Sequence, residues 1–441
     1  MKNLYKSTTC LLLLILLFPL MAKAQNPLVL DQYTADPTAR VFNGKLYVYP
    51  SHDILCTEDK GRVGWFCMED YHVFSSDNLT AWKDHGEILN QTEVAWADPS
   101  GYSMWAPDCV ERDGKYYFYF PTKPKDEKGF KIGVAISDSP EGPFVPQQEP
   151  IAGVNGIDPN VFIDSDGQAY LYWSGGNIFV AKLKPNMTEL ASEPEVIANL
   201  PQEGLKEGPF VFKRNDQYYL TYPHVANKTE RLEYAMGPSP MGPFTVTGVI
   251  MDESPTGCWT NHQSIVNFKD QWYLFYHHND LSPDFDKNRS IRADSLSFNN
   301  DGTIVKVQPT LRGIGINEAT EMLQIDRYSS KSDSATVQFN NPEAPFQGWH
   351  AVLNAGDFIK YNQVNFEDKL SQLLLNVKTK EGAEIEISFA NSDESIAKLT
   401  LANSTDFNIQ DFELDTIKSG IHDIKVQVTS GTATIDWIQF K

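Results

Sequence analysis

One hairpin pattern, a β-rich run followed by a polar turn and an aromatic-rich run, recurs five times along the first three quarters of the chain, and this repetition narrows the choice of fold sharply. The copies begin at Asp36 (DPTARVFNGKLYVYP), Ala106 (APDCVERDGKYYFYF), Asp158 (DPNVFIDSDGQAYLYW), Glu207 (EGPFVFKRNDQYYLTY) and His262 (HQSIVNFKDQWYLFYH). Their turns, Asn43-Gly44, Asp113-Gly114, Asp166-Gly167, Asn215-Asp216 and Lys269-Asp270, are mostly dipeptides that accept the positive φ of a tight hairpin. Further β-like sequence follows at 71–75, 133–137, 178–183 and 232–236. Four strands per unit in five units predict a five-bladed β-propeller; a β-sandwich with irregular hairpins is the competing arrangement.

The register of the repeats carries a chemical statement. Superposed, Asp36, Ala106, Asp158, Glu207 and His262 take one equivalent position at the start of each innermost strand, and in a propeller those starts converge on the axis. Three carboxylates from three blades then share one cavity. Like charges aimed at a common centre raise at least one pKa, which suits general acid catalysis. Read singly, each Asp-Pro could merely cap a turn; the equivalence across repeats argues against that for all three together.

The Asp-Pro pair at 36–37, Asp158-Pro159-Asn160-Val161 with the run to Gly167, and Glu207-Gly208-Pro209-Phe210 with the run to Arg214 resemble glycoside hydrolase family 43, a likeness extending from about Val29 to Gly313. The resemblance implies a five-bladed propeller and an inverting glycosidase. It gives Asp36 as general base, Glu207 as general acid and Asp158 as the residue that orients the acid and adjusts its pKa. Inversion needs a protonated carboxyl at the leaving oxygen and an ionised one holding water on the opposite face, about 6.5–9.5 Å apart. Trp105 resembles a wall for the sugar ring, with blade packing as its alternative. Arg289 resembles a contact to substrate hydroxyls, with a surface ion pair as its alternative. His262 resembles a histidine beside a cation, often calcium, on the propeller axis; a satisfied structural histidine is the plainer reading. No cofactor is expected for the chemistry itself.

The implied activity is exo-acting release of α-L-arabinofuranosyl or β-D-xylosyl units from plant polysaccharide. Galactan-chain activity and a non-catalytic sugar-binding propeller are the alternatives, and the three acids count against the second. The Arg-Asp-Pro and Glu-Cys motifs of the related retaining fructoside-cleaving propellers are absent: the chain reads Ile157-Asp158-Pro159 and Glu207-Gly208.

Beyond the polar stretch 299–315 the pattern changes to short β-runs, at 357–361, 372–377, 384–389, 422–428 and 433–440, which predict a β-sandwich (jelly-roll) over 316–441. Gly356-Asp357-Phe358-Ile359-Lys360-Tyr361 and Ile435-Asp436-Trp437-Ile438-Gln439-Phe440 resemble family 6 carbohydrate-binding modules, which often hold a structural calcium. Where many such modules place a stacking tryptophan in a late loop, this chain has Ser404-Thr405-Asp406-Phe407; Trp349 is the alternative platform. Sugar binding and structural docking on the propeller remain the two readings of this module.

Partners and location follow from charge and the N-terminus. With 58 acidic against 37 basic residues the chain repels phosphate backbones and anionic lipid, so nucleic acid and membrane are excluded as expected partners, and a monomer is expected. Lys2 and Lys6, an apolar run from Leu11 to Leu20 and Ala22-Lys23-Ala24 read as a signal peptide over 1–24, which leaves a propeller over 25–315 and implies export to periplasm or medium. Cys10 precedes the apolar run, so no lipoprotein anchor is expected. Export would permit a Cys56–Cys67 disulfide closing a short loop; four buried free thiols, with Cys109 and Cys258, are the equal alternative.

Overall fold

The computed structural model describes residues 25–340, 348–392, 394–415 and 417–441; the signal peptide expected at 1–24 lies outside the described residues. Five antiparallel sheets follow in chain order. Blade 1 is Tyr33–Phe42, Lys45–Asp53, Asp70–Ser76 and Lys83–Asn90. Blade 2 runs from Asp108–Arg112 to Val145–Pro146, blade 3 from Ile157–Ile163 to Glu195–Val196, and blade 4 from Phe210–Arg214 to Thr245–Met251. Blade 5 departs from the expected four strands, having three: Ser264–Phe268, Gln271–His278 and Ser290–Leu296. Its outer side is met by the N-terminal segment, whose Leu28 N–H donates to the Ile291 carbonyl while the Asn26 side chain bridges Ala293 and Thr310. Start and end of the propeller are thereby tied together, and each innermost strand touches the next around the closed ring.

The turn chemistry selects the hairpins. At Asn43-Gly44, Asp113-Gly114, Asn215-Asp216 and Lys269-Asp270 both central residues have positive φ, the two-residue turn whose twist matches the strands it joins. Blade 3 differs: only Gly167 is left-handed, and the Asp164 N–H donates to the Gln168 carbonyl across a longer loop. Between blades the aromatic runs interlock. Tyr49, Tyr71, Phe118 and Phe120 fill the space between blades 1 and 2, and Tyr172, Tyr222 and Phe244 that between blades 3 and 4.

Inner strands of separate sheets cannot form a common ladder, so side chains supply the cross-links. Asp108 accepts from Arg40, from the Val161 N–H and from Asn160; Asn160 in turn accepts from the Val211 N–H. Ser264 donates to the Pro37 carbonyl and accepts from the Ala39 N–H, closing blade 5 onto blade 1.

The C-terminal region is a β-sandwich. Its last strand, Gly420–Phe440, serves both sheets: residues 420–428 pair with Phe358–Phe366 and Ala383–Phe389, residues 432–440 with Trp349–Asn354 and Gln372–Thr379. Gly431, at φ 77°, marks the change of sheet. Alternate residues of this strand, from Ile424, Val426 and Val428 to Ala433 and Ile435, enter one apolar core. Among the strands that escaped the sequence reading are Thr336–Phe339, Trp349–Asn354, Ser395–Leu401 and Ser404–Glu413, so Ser404-Thr405-Asp406-Phe407 opens a strand and does not form a loop. The module is seated by two arginines. Arg312, buried, donates to the Asn362 carbonyl at 2.9 Å, and Arg327 donates to the carbonyls of Asn26 and Leu311.

All four described cysteines are free, and no disulfide joins Cys56 to Cys67, whose thiols donate to the carbonyls of Trp65 and Lys60. Among the described residues no helix is long and apolar enough to cross a membrane.

Candidate active site

The five equivalent repeat positions meet as their register requires: Asp36, Ala106, Asp158, Glu207 and His262 all line one cavity of about 170 Å³ on the propeller axis. Trp105 and Arg289 line it too. One cavity thus gathers every site residue expected of the propeller.

Local backbone geometry aims the acids. Asp36 and Asp158 both sit at positive φ, 47° and 56°, a conformation that aspartate tolerates better than most residues. At each the pairing with the neighbouring strand shifts register, between Ala35 and Thr38 and opposite Tyr172 to Ser174. Such bulges turn a side chain out of the strand alternation. Gly208 does the same for Glu207: its φ is 54°, and a Cβ there would lie 2.9 Å from Pro223 and 3.1 Å from His262.

Asp36 is held ionised. Its Oδ1 accepts from Arg289 Nη1 at 2.9 Å and its Oδ2 from Ser51 Oγ at 2.7 Å. Burial by itself would raise its pKa, but the Arg289 guanidinium and the surrounding donors outweigh burial and bring it down to about 2. The backbone N–H of Asp36 donates to His277 Nδ1 at 3.1 Å, which fixes that nitrogen as an acceptor; burial keeps this histidine neutral, with a pKa of about 3. The 3.4 Å approach of His277 Nδ1 to Asp36 Oδ1 is therefore not an ion pair.

Arg289 is far from the surface. Nε and Nη2 grip Asp53 in two bonds of 2.9 Å, its backbone N–H adds a third at 2.8 Å, and its guanidinium lies 4.8 Å from the Phe66 ring centre. Its first task in the structure is to hold Asp36.

The opposite electrostatics prevail around Glu207. Asp158, buried, has its pKa raised to about 7 by burial and by Glu207, although its Oδ2 accepts from the Gly208 N–H at 3.0 Å. Glu207 is raised by burial and by Asp36, and beside it burial and Glu207 push the pKa of Glu230 well up. Burial and mutual repulsion thus favour the protonated forms of Asp158, Glu207 and Glu230 where Asp36 is held ionised, and environments that drive carboxyls apart in this way mark an acid and a base.

Glu230 was not evident from the sequence. It opens the third strand of blade 4, outside the repeat position, and accepts from the Asn261 N–H at 2.7 Å. Ser51, Asp53, Thr260 and His277 were missed for the same reason. Trp105 packs at a tilt against Phe130, centroids 4.4 Å apart, and its buried Nε1 has no partner among the described residues, leaving an indole donor in the cavity wall. His262 lies 3.9 Å from Asp36 through Nδ1 and belongs to none of the groups of three potential metal ligands found among the described residues.

Comparison with known proteins agrees with this geometry. The family model described as Glycosyl hydrolases family 43 matches residues 24–304. Xylosidase/arabinosidase 43A of Humicola insolens is 40% identical over 334 residues, 64% of this chain and 99% of that protein. The solved β-xylosidase/α-arabinofuranosidase from a compost microbial metagenome, calcium-free and with xylotriose, is 38% identical with a TM-score of 0.59, covering 65% of this chain and 98% of that one. The family 43 arabinoxylan arabinofuranohydrolase of Bacillus subtilis, solved with cellotetraose, is 26% identical with a TM-score of 0.56 and covers 96% of this chain and 99% of its own.

Proposed function

The chain belongs to glycosyl hydrolases family 43, and we propose that it removes terminal β-D-xylosyl or α-L-arabinofuranosyl units from plant polysaccharide, with inversion at the anomeric carbon. The convergence on one cavity of Asp36, bound to Arg289, and of Glu207, whose pKa burial and Asp36 raise, carries this reading. Asp36, ionised, takes a proton from water as that water attacks the anomeric carbon; Glu207 gives its proton to the departing oxygen. Asp158 supports the acid through the Gly208 amide and through its charge. The wall of Trp105, Trp65, Phe66 and Trp259 suits the apolar face of a sugar ring, and relatives named for both xylosidase and arabinosidase activity support the pair of sugars.

Proton NMR of the first product tests the mechanism: the released sugar should appear first as the anomer opposite to the bond cleaved, and a retained anomer would sink the assignment. Nitrophenyl xyloside, arabinofuranoside and galactoside, assayed side by side, test the sugar.

The chemistry needs no cofactor. For a calcium ion beside His262 the residues are a poor match, since calcium takes six to eight oxygens. His262 offers nitrogen, and the Asp36 oxygen 3.9 Å away is already on Arg289. No step is routed through a cation. For the module, we propose polysaccharide binding near Trp349 and Phe407; the full-length likeness to the arabinofuranohydrolase supports it. We also propose export, on the leader sequence alone.

A further inference from the structure

Blade 1 carries a second constellation, away from the catalytic acids and outside the repeat pattern. His52 is the penultimate residue of the strand Lys45–Asp53, and Asp70 begins the strand Asp70–Ser76. These strands pair antiparallel with Ser51 opposite Tyr71, so His52 stands across from Asp70, and His72, two residues on, shares the same face. One ligand atom from each of His52, Asp70 and His72 lies within 4.8 Å of the others. The two imidazole rings are 4.9 Å apart, and all three side chains are largely shielded from solvent.

His72 is oriented as a ligand. His72 directs Nδ1 at both oxygens of Asp84, 3.1 Å from each, and Asp84 is fixed in turn by the Gly86 N–H and by Gln32. With its Nδ1 proton committed to a carboxylate, the imidazole keeps the lone pair of Nε2 free, an arrangement that recurs behind metal-bound histidines. His52 Nδ1 meets Asp70 Oδ1 at 2.5 Å, in a hydrogen bond whose proton a bound ion would release to solvent.

We propose that His52, Asp70 and His72 bind one divalent first-row transition metal ion, zinc by preference. Two imidazoles and one carboxylate form a nitrogen-rich set that suits zinc and not calcium. Metal–ligand bonds of about 2.0–2.1 Å put tetrahedral ligand atoms roughly 3.3 Å apart, within reach of ring rotation from the present spacing. Water completes the fourth position.

The location gives the ion a consequence. His52 and Asp70 stand at the two stems of the segment 54–69, which carries Trp65, Phe66 and Met68 into the wall of the catalytic cavity. An ion across those stems clamps the loop at its base. Asp53, next to His52, is also the carboxylate that grips Arg289, so the clamp adjoins the support of the general base.

The test uses the full chain, stripped with a chelator and titrated with Co2+ and then Zn2+. One equivalent of Co2+ should give the visible absorption of a four-coordinate site, and Zn2+ should displace it. His72→Ala should abolish both signals, His422→Ala in the module should leave them, and Asp84→Asn, which keeps all three ligands, should weaken affinity about 10- to 100-fold. Hydrogen exchange across 54–69 should slow when zinc is added to the parent protein. Absence of stoichiometric binding, or binding that survives His72→Ala, overturns the site. Binding with unchanged exchange across 54–69 overturns the clamp.

Discussion

Asp36 and Glu207 face one cavity with their pKa values pushed in opposite directions, and the cause is which neighbours each residue has. Glu207→Gln should therefore lose turnover on poor leaving groups while sparing part of the hydrolysis of activated aryl glycosides, whose phenolate leaves without a proton. Asp36→Asn should be nearly inactive on both, because water must be activated whatever departs. Steady-state rates on a leaving-group series check the contrast. Asp158→Asn should move the basic limb of the pH profile downward. Above its pKa of about 7 the native carboxylate repels charge on Glu207, and without that charge Glu207 loses its proton at lower pH. An unchanged limb would refute the coupling. Ser51→Ala tests the other end of the profile. The hydroxyl donates to Asp36 Oδ2 at 2.7 Å and stabilises the ionised form. A hydrogen bond to a charged group contributes about 1.5–3 kcal/mol, and one pKa unit is about 1.4 kcal/mol, so the pKa of Asp36 should rise by about one unit or more. The acidic limb of kcat/KM then moves upward, with the plateau rate little changed.

At the scale of elements, the strand starts and turns were legible because they repeat: five hairpins in register put Asp36, Asp158 and Glu207 together without any structure in hand. What repetition could not reveal is whatever belongs to one blade alone. Glu230, Ser51 and His277 come from second and third strands with no counterpart at the repeat position, and their roles arise from contacts across 15 to 241 residues of chain. The three-stranded blade 5 was hidden for a related reason, since its missing partner is the N-terminal segment. In the module the alternation of apolar residues was clear, but the two sheets trade one strand at Gly431, which no local pattern announces. The turn before Phe210 shows how tightly an element end can be specified. Gly208 combines a φ of 54° with a 2.9 Å approach to Pro223, so Gly208→Ala should destabilise the protein by about 1–3 kcal/mol, the usual range for such strained positions. Because the Gly208 N–H also holds Asp158, kcat should fall along with the melting temperature. A variant with native melting and native kcat would show that the left-handed turn does not position the acid.

For the whole molecule, the question is whether propeller and sandwich are separable. The propeller closes on itself through Asn26 and Leu28, which suggests that catalysis needs nothing beyond residue 315. The closure is nevertheless braced from outside. Arg327 of the module donates to the Asn26 and Leu311 carbonyls, at 2.8 and 3.0 Å, on the two segments that meet at the seam of the ring. Arg312, buried at the junction, spends two of its donors on the Asn362 carbonyl. Burial lowers its pKa to about 10, still far above neutrality, so it remains a cation. Removing 316–441 strips these acceptors and donors together and opens the seam to solvent. A buried cation that loses partners costs up to several kcal/mol unless water reaches it; here Arg312 keeps its bonds to the Gly313 and Gly315 carbonyls and truncation itself admits water, so the loss should be partial. The truncated propeller should fold, melt at a lower temperature than the full chain, and hydrolyse small aryl glycosides at near-native kcat/KM well below that melting point. Action on insoluble polysaccharide should drop further than action on aryl glycosides if the module holds polymer, and both should drop together if it only braces the ring. Arg327→Ala in the full chain separates the two effects: it removes the brace and keeps the sandwich, so it should reproduce part of the lowered melting temperature while leaving polysaccharide binding intact in a pull-down on insoluble xylan.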